Sequence, residues 1–354
     1  MMINYNILTQ QILQLAPQFD FLEARIANID IEAQTKDNFS AWLKQKFHGE
    51  MTYLARNTEL RFMPNKLHQN TLSIISVKLP YLNSSIDSLK AKLNQPHIAN
   101  VSSYAQGRDY HKVVKQKLNA YAAAINELLI NYKLDMQYRS FTDSAPVLEV
   151  ELAAKSGLGW RGKNTLLINK TRGSMFFLGE IFTNLPLTPT PAVANNCGTC
   201  SKCIDICPTK AIIAPYILDA TKCISYLTIE FKGTIPLALR KLIGNRIYGC
   251  DDCQIFCPWN KFSQKTTVSD FKTRDFLNNL TLVDAFLIEK DDWEKLMQGS
   301  SILRIGYECW LRNVAVALGN SSANFETIAA LKSRINYPSL LVQEHINWAL
   351  EQLT

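Results

Sequence analysis

The stretch Cys197-Gly-Thr-Cys200-Ser-Lys-Cys203-Ile-Asp-Ile-Cys207-Pro208 reproduces the bacterial run C-x2-C-x2-C-x3-C-P, in which the fourth cysteine serves a second cluster. A partner run ends the same module at Cys250, Cys253 and Cys257-Pro258. There the first cysteine of the pattern is replaced by Ile247, and Cys223 is the evident substitute. By the crossing rule one 4Fe-4S cluster takes Cys197, Cys200, Cys203 and Cys257, and the other takes Cys207, Cys223, Cys250 and Cys253. Zinc is the competing reading, but zinc ribbons use separated C-x2-C pairs rather than three-cysteine runs ending in Cys-Pro. The ninth cysteine, Cys309, falls in an apolar helical stretch and reads as core.

Two interleaved clusters pass electrons one at a time, so the module is wiring and bond-making belongs elsewhere in the chain. The chain has 354 residues, 47% of them hydrophobic, enough for two or three domains. Nine clustered cysteines and an N-terminus, Met1 to Gln10, without the basic-then-apolar order of a secretory signal read as a cytoplasmic protein that binds metal. No uncharged apolar run approaches the roughly 20 residues of a membrane span. The formal charge of +7 counts thiols as neutral, and two clusters leave it only mildly basic. Within Glu50 to Ala120, however, ten Lys or Arg stand against four acids, either a polyanion-binding face or ordinary solvated helix faces.

Outward from the cysteines, the sequence predicts three parts. Residues 1–186 mix helical periodicity (Tyr110 to Leu129, Pro146 to Lys155) with strand-like runs (Leu72 to Val77, Thr165 to Asn169, Met175 to Phe182). This is an α+β pattern. The Pro-rich link Leu185 to Pro191 leads into the cysteine module, 187–266. Residues 267–354 read as all-α, and Asn313-Val-Ala-Val-Ala-Leu318 is echoed by His345-Ile-Asn-Trp-Ala-Leu350. That echo predicts a short HEAT-like array or a plain helical bundle.

Gly157, Gly159 and Gly162 spell G-x-G-x-x-G and nearly a P-loop, but they follow a helix rather than a strand, so they read as its C-terminal cap and a tight loop. Asp109-Tyr110-His111 begins like the D-x-H-x-x-G signature of histidine-ligated cobalamin, yet Val114 occupies the glycine position. The segment Arg139-Ser-Phe-Thr-Asp143-Ser-Ala-Pro146 puts an acid at a strand-to-helix turn. Asp143 or Ser144 reads either as a helix cap or, for Asp143, as a proton donor in a closed pocket whose pKa is raised by burial.

Five segments together resemble the epoxyqueuosine reductase (QueG) family: Asp143-Ser-Ala-Pro-Val-Leu-Glu149, Gly159-Trp-Arg-Gly-Lys-Asn-Thr165, Gly107-Arg-Asp-Tyr-His111, Cys223-Ile-Ser-Tyr-Leu-Thr-Ile-Glu230 and Arg312-Asn-Val-Ala-Val-Ala-Leu-Gly-Asn320. The likeness runs from about Met51 to the C-terminus. It implies a reductive-dehalogenase-like cobalamin-binding domain, a two-cluster module and HEAT-like helices. The implied reaction is the last step of queuosine synthesis, reduction of epoxyqueuosine to queuosine at the wobble position of tRNA with a GUN anticodon. Clusters would reduce cobalamin to Co(I), which attacks the epoxide while Asp143 protonates the oxygen, and later electrons cleave the cobalt–carbon bond. Arg108, Ser144, Lys163 and Asn164 are the implied cobalamin contacts. A flavodoxin or ferredoxin system is the implied electron donor to a monomer. Two rivals share the modules: a cobalamin-dependent small-molecule reductase of the dehalogenase kind, and a pure two-cluster electron carrier.

Overall fold

The computed structural model describes residues 3–354. Its centre is a four-stranded antiparallel sheet in the order Glu23–Ala27, Ser73–Pro80, Phe176–Thr183, Tyr138–Phe141. The two inner strands are buried almost throughout, because helices cover both faces, and they read as apolar runs for that reason. Helix Tyr110–Ile130 lays Val113, Val114, Leu118, Tyr121, Ile125 and Leu129 on the sheet, the spacing of one helical face. Gly179 permits this approach, since a β-carbon there would sit 2.9 Å from the Leu118 side chain.

Several expected boundaries shift. The helix expected from Pro146 spans Glu149–Lys155, because the preceding residues form a clamped loop. Only Leu167–Ile168 of the run Thr165 to Asn169 is strand, paired with Trp160–Arg161. Gly157 closes the Glu149 helix at φ +86°, its amide bonding the Ala154 carbonyl, while Gly162 belongs to the tight turn that follows Trp160–Arg161, its amide bonding the Leu166 carbonyl.

The cysteine module joins the rest through a short parallel pairing of Arg246–Tyr248 with Asn100–Val101. Ile247, standing where a cysteine was expected, is fully buried in that strand. The largest apolar cluster runs from Ile224, Leu227 and Ile247 into the C-terminal helices without a break. Both echoing segments lie on helices, Tyr307–Gly319 and Leu340–Leu353, which pack on each other, and Cys309 is buried there. Arg312, fully buried, donates to the carbonyls of Leu227, Phe231 and Gly233, while Asn313 donates to those of Thr228 and Ile247. This stitches the C-terminal helices to the segment that follows Cys223. No helix among the described residues is long and apolar enough to cross a membrane.

Candidate active site

Asp143 sits where the strand Tyr138–Phe141 ends. Thr142 Oγ donates to the Leu178 carbonyl, and the Asp143 amide donates to Glu149 Oε1, so the loop is held at both sides. Asp143 itself adopts φ +54°, a left-handed conformation that costs a non-glycine residue about 1 kcal/mol and is common at working sites. Its carboxylate caps no helix. Tyr110 Oη donates to Oδ2, and His111 Nε2 lies 3.3 Å from the same oxygen, leaving Oδ1 as the oxygen open to a reactant.

His111 has a carboxylate at each ring nitrogen, since Nδ1 lies 2.8 Å from Asp109 Oδ1. Burial works against its charge, but the hydrogen bonds to Asp109 and Asp143 win and raise its pKa to about 9. Asp109, which also accepts from Arg304 at 2.6 Å, is buried too, yet its partners lower it to about 2. For Asp143 burial raises the pKa, but hydrogen bonds from His111 and Tyr110 outweigh it and the net direction is down. The expectation of an acid elevated by burial in a closed pocket is therefore corrected: the side chain is 55% exposed and rests as a carboxylate beside an imidazolium. Behind it Glu149 goes the other way, pushed up to about 8 by burial and by the Asp143 charge.

Asp143, Tyr110 and Glu149 share a cavity of about 400 Å³ with Cys207, Cys223, Cys250 and Cys253. Its wall is mainly aromatic and aliphatic, including Phe176, Phe177, Leu218 and Ile224, and no histidine among the described residues lines it. A wider cavity, about 930 Å³, adjoins it through Tyr104, Tyr110, Asp143 and Glu149. Arg56, Arg61, Lys232 and Arg304 line this second cavity.

Cys203 has the thiols of Cys257, Cys197 and Cys200 as neighbours, whereas Cys250 neighbours Cys223, and Cys253 neighbours Cys223, Cys203 and Cys207, so it stands between the two sets. Burial and mutual repulsion push these thiols up, so they become thiolates only where bound iron supplies positive charge, and they fit clusters on that ground. Trp160 Nε1 donates toward Cys197 Sγ at 3.4 Å and the Ala211 amide toward Cys207 Sγ at 3.3 Å, the kind of sulfur hydrogen bond that tunes cluster potential.

The other expected contacts divide. Asn164 is buried on the first cavity and donates to the Cys253 carbonyl. Ser144 lies on the wider cavity. Lys163 instead clamps the first cysteine loop, donating to the carbonyls of Gly198 and Cys200. Arg108 lines neither cavity, because Asp270 holds its guanidinium at 3.1 Å. The basic stretch is likewise no continuous face: Lys78 is buried against Glu23, Lys66 and Lys90 pair with Glu59 and Asp87, and Lys117 pairs with Asp20. Sequence reasoning missed Tyr110, His111, Glu149, Glu180 and Arg304. The first two stand inside the quoted Gly107 to His111 segment, but their partner Asp143 lies 33 and 32 residues on.

A double-cluster module whose second set of cysteines borders an acid-lined cavity defines an iron–sulfur oxidoreductase. Residues 196–260 match the family "4Fe-4S double cluster binding domain", and residues 61–144 match "Epoxyqueuosine reductase QueG, DUF1730". The chain is 45% identical to the epoxyqueuosine reductase of Pseudomonas aeruginosa over 98% of its own length and 94% of that protein's, and 44% identical to that of Escherichia coli over 99% and 90%. The chain belongs to the epoxyqueuosine reductase family. A crystal structure of an epoxyqueuosine reductase with an epoxyqueuosine-modified tRNA-Tyr stem loop superposes with a TM-score of 0.86 at 25% identity, covering 99% of this chain and 91% of that one. The Bacillus subtilis enzyme, with its aspartate-bearing catalytic loop swung out of the active site, gives 0.87 at 25%, again covering 99% and 91%.

Proposed function

We propose that the protein reduces epoxyqueuosine to queuosine at the wobble position of tRNA, with cobalamin seated between the second cluster and Asp143. The observation that carries this is the shared cavity: all four cysteines assigned to that cluster and the candidate acid line one space. Crosswise ligation, Cys197, Cys200, Cys203 and Cys257 against Cys207, Cys223, Cys250 and Cys253, is supported by the neighbours of Cys203 and by Cys223 standing near Cys207 and Cys250, with Cys253 near members of both sets. A bound corrinoid supplies a strongly nucleophilic Co(I) centre able to attack an epoxide carbon. The cavity's apolar wall suits a macrocycle, and Asn164 on that wall and Ser144 on the adjoining cavity are the proposed contacts.

The chain's own residues manage the proton. Asp143 rests ionised, so the proton it gives to the epoxide oxygen comes from His111, whose imidazolium it already touches. A positioned donor of this kind contributes about 10²- to 10⁴-fold. Arg56, Lys232 and Arg304 on the wider cavity are placed to hold phosphates of an anticodon loop while the modified base turns inward. The chain serves as three working units, 1–186, 187–266 and 267–354, with the last a HEAT-like support for the tRNA side.

Anaerobic protein with both clusters filled, given cobalamin, a reductant and tRNA carrying epoxyqueuosine, is expected to yield a nucleoside lighter by one oxygen. Unchanged tRNA under those conditions overturns the proposal and leaves the small-molecule reductase.

A further inference from the structure

Removing the epoxide oxygen as water breaks two C–O bonds, forms one C=C bond and two O–H bonds, and consumes two electrons and two protons. The electrons come from a low-potential one-electron donor through the clusters. The pair His111–Asp143 accounts for one proton. A second acidic device lies directly behind it.

Glu180 is fully buried on the central strand Phe176–Thr183, opposite Phe141 on one neighbour and Ser76 on the other. Among the described residues neither of its carboxyl oxygens finds a donor, and the Ser76 hydroxyl is unpartnered as well. The group within its hydrogen-bonding reach is the carboxyl of Glu149, whose Oε1 already accepts the Asp143 amide. As carboxylates, two such groups are acceptors only, and a buried pair of them cannot both be charged. A proton held between them supplies the donor both lack, as in carboxyl dyads that share one proton. Glu149 also lines both cavities together with Asp143, so the pair is connected to the reaction space.

We propose that Glu149 and Glu180 form an internal proton store that supplies the second proton of the reduction to Asp143 through Glu149, which lines both cavities beside Asp143. The store rests on the function proposed above. Release follows charge: Asp143 lies beside Glu149, and when Asp143 gives up its proton and regains its negative charge it attracts the next one. The groups facing the pair are Asp143, His111 and Tyr110 from the strand and helix ends, and Arg61 from the wider cavity. Burial of both glutamates, with Glu149 pushed up to about 8, accords with a proton retained at neutral pH.

The test uses the cluster-filled full chain and two isosteric variants, Glu180→Gln and Glu149→Gln; the second keeps an acceptor for the Asp143 amide. Infrared spectra of the resting protein in H₂O and D₂O are expected to show a protonated-carboxyl C=O band that shifts with the isotope and disappears in both variants. In single turnovers each variant is expected to be at least about tenfold slower, with unchanged tRNA affinity, and to lack the fall in rate expected of the parent as pH rises through about 8. Absence of the band in the parent overturns the store whatever the reaction, because that arm needs neither substrate nor cobalamin. Parent-like rates and pH profiles in folded Glu180→Gln overturn its role in catalysis.

Discussion

Replacing Asp109 by Asn probes the proton donor without touching it. Asparagine keeps an oxygen for His111 Nδ1 and remains a good cap for the helix that starts at Tyr110, so the ring stays in place. What changes is charge. His111 is raised to about 9 against burial, and Asp109 is the largest influence in its favour. With Asp143 alone opposing burial, its pKa should fall by roughly two units, about 2.7 kcal/mol, to about 7. At pH 8 the protonated fraction then drops from about 90% to about 10%, a rate loss of about tenfold, whereas at pH 6 both proteins are almost fully protonated and differ by less than about twofold. Stability follows the same sign: a raised histidine stabilises the fold fully below about 6.5, and that gain is lost as pH rises through about 9. The assay is single-turnover conversion of epoxyqueuosine tRNA across pH 5.5 to 9.5, an experimental range of about four units chosen to span both values. An equal loss at pH 6 and pH 8 would show that Asp109 matters for shape rather than for the His111 proton, and the reasoning would fail.

Other consequences are equally direct. Cys223→Ser should reduce iron from about eight to about four atoms per chain and abolish turnover, while Cys309→Ser leaves iron and activity intact; iron analysis separates the two. Arg312→Met strands three carbonyls in the core and should lower stability by about 3 to 5 kcal/mol, seen as a lower thermal midpoint and loss of the cluster near Cys223. Reversing Arg56 and Lys232 to Glu should weaken tRNA binding and flatten its salt dependence by about 0.7 to 0.9 per contact, whereas the same reversal at Lys66 and Lys90, already paired with acids, should do little.

The cysteine module was legible because ligand spacing is local: four residues within twelve positions declare their chemistry before any fold is known. The helix at Tyr110 was legible for a similar reason, its apolar face repeating at the helical period. The acid network was not, since its members come from a helix start, a strand end, another helix and a buried strand, and only folding brings them together. Glu180 shows this most plainly, one carboxyl in an otherwise apolar strand run whose meaning depends on Glu149. Lys78 failed in the opposite direction. Its charge counted toward a basic surface, yet the sheet turns it inward to Glu23. The state of Asp143 also depends on neighbours, as burial alone raises a carboxyl while His111 and Tyr110 reverse the sign.

Asp143→Asn in cluster-filled, cobalamin-loaded protein is the most direct test of the account, since asparagine keeps the shape of the loop and removes the proton path. The prediction is that epoxyqueuosine in tRNA stays unreduced by nucleoside mass analysis while iron content and tRNA affinity match the parent. Conversion at the parent rate would contradict the assignment of reduction to the cavity that Asp143 shares with the second cluster.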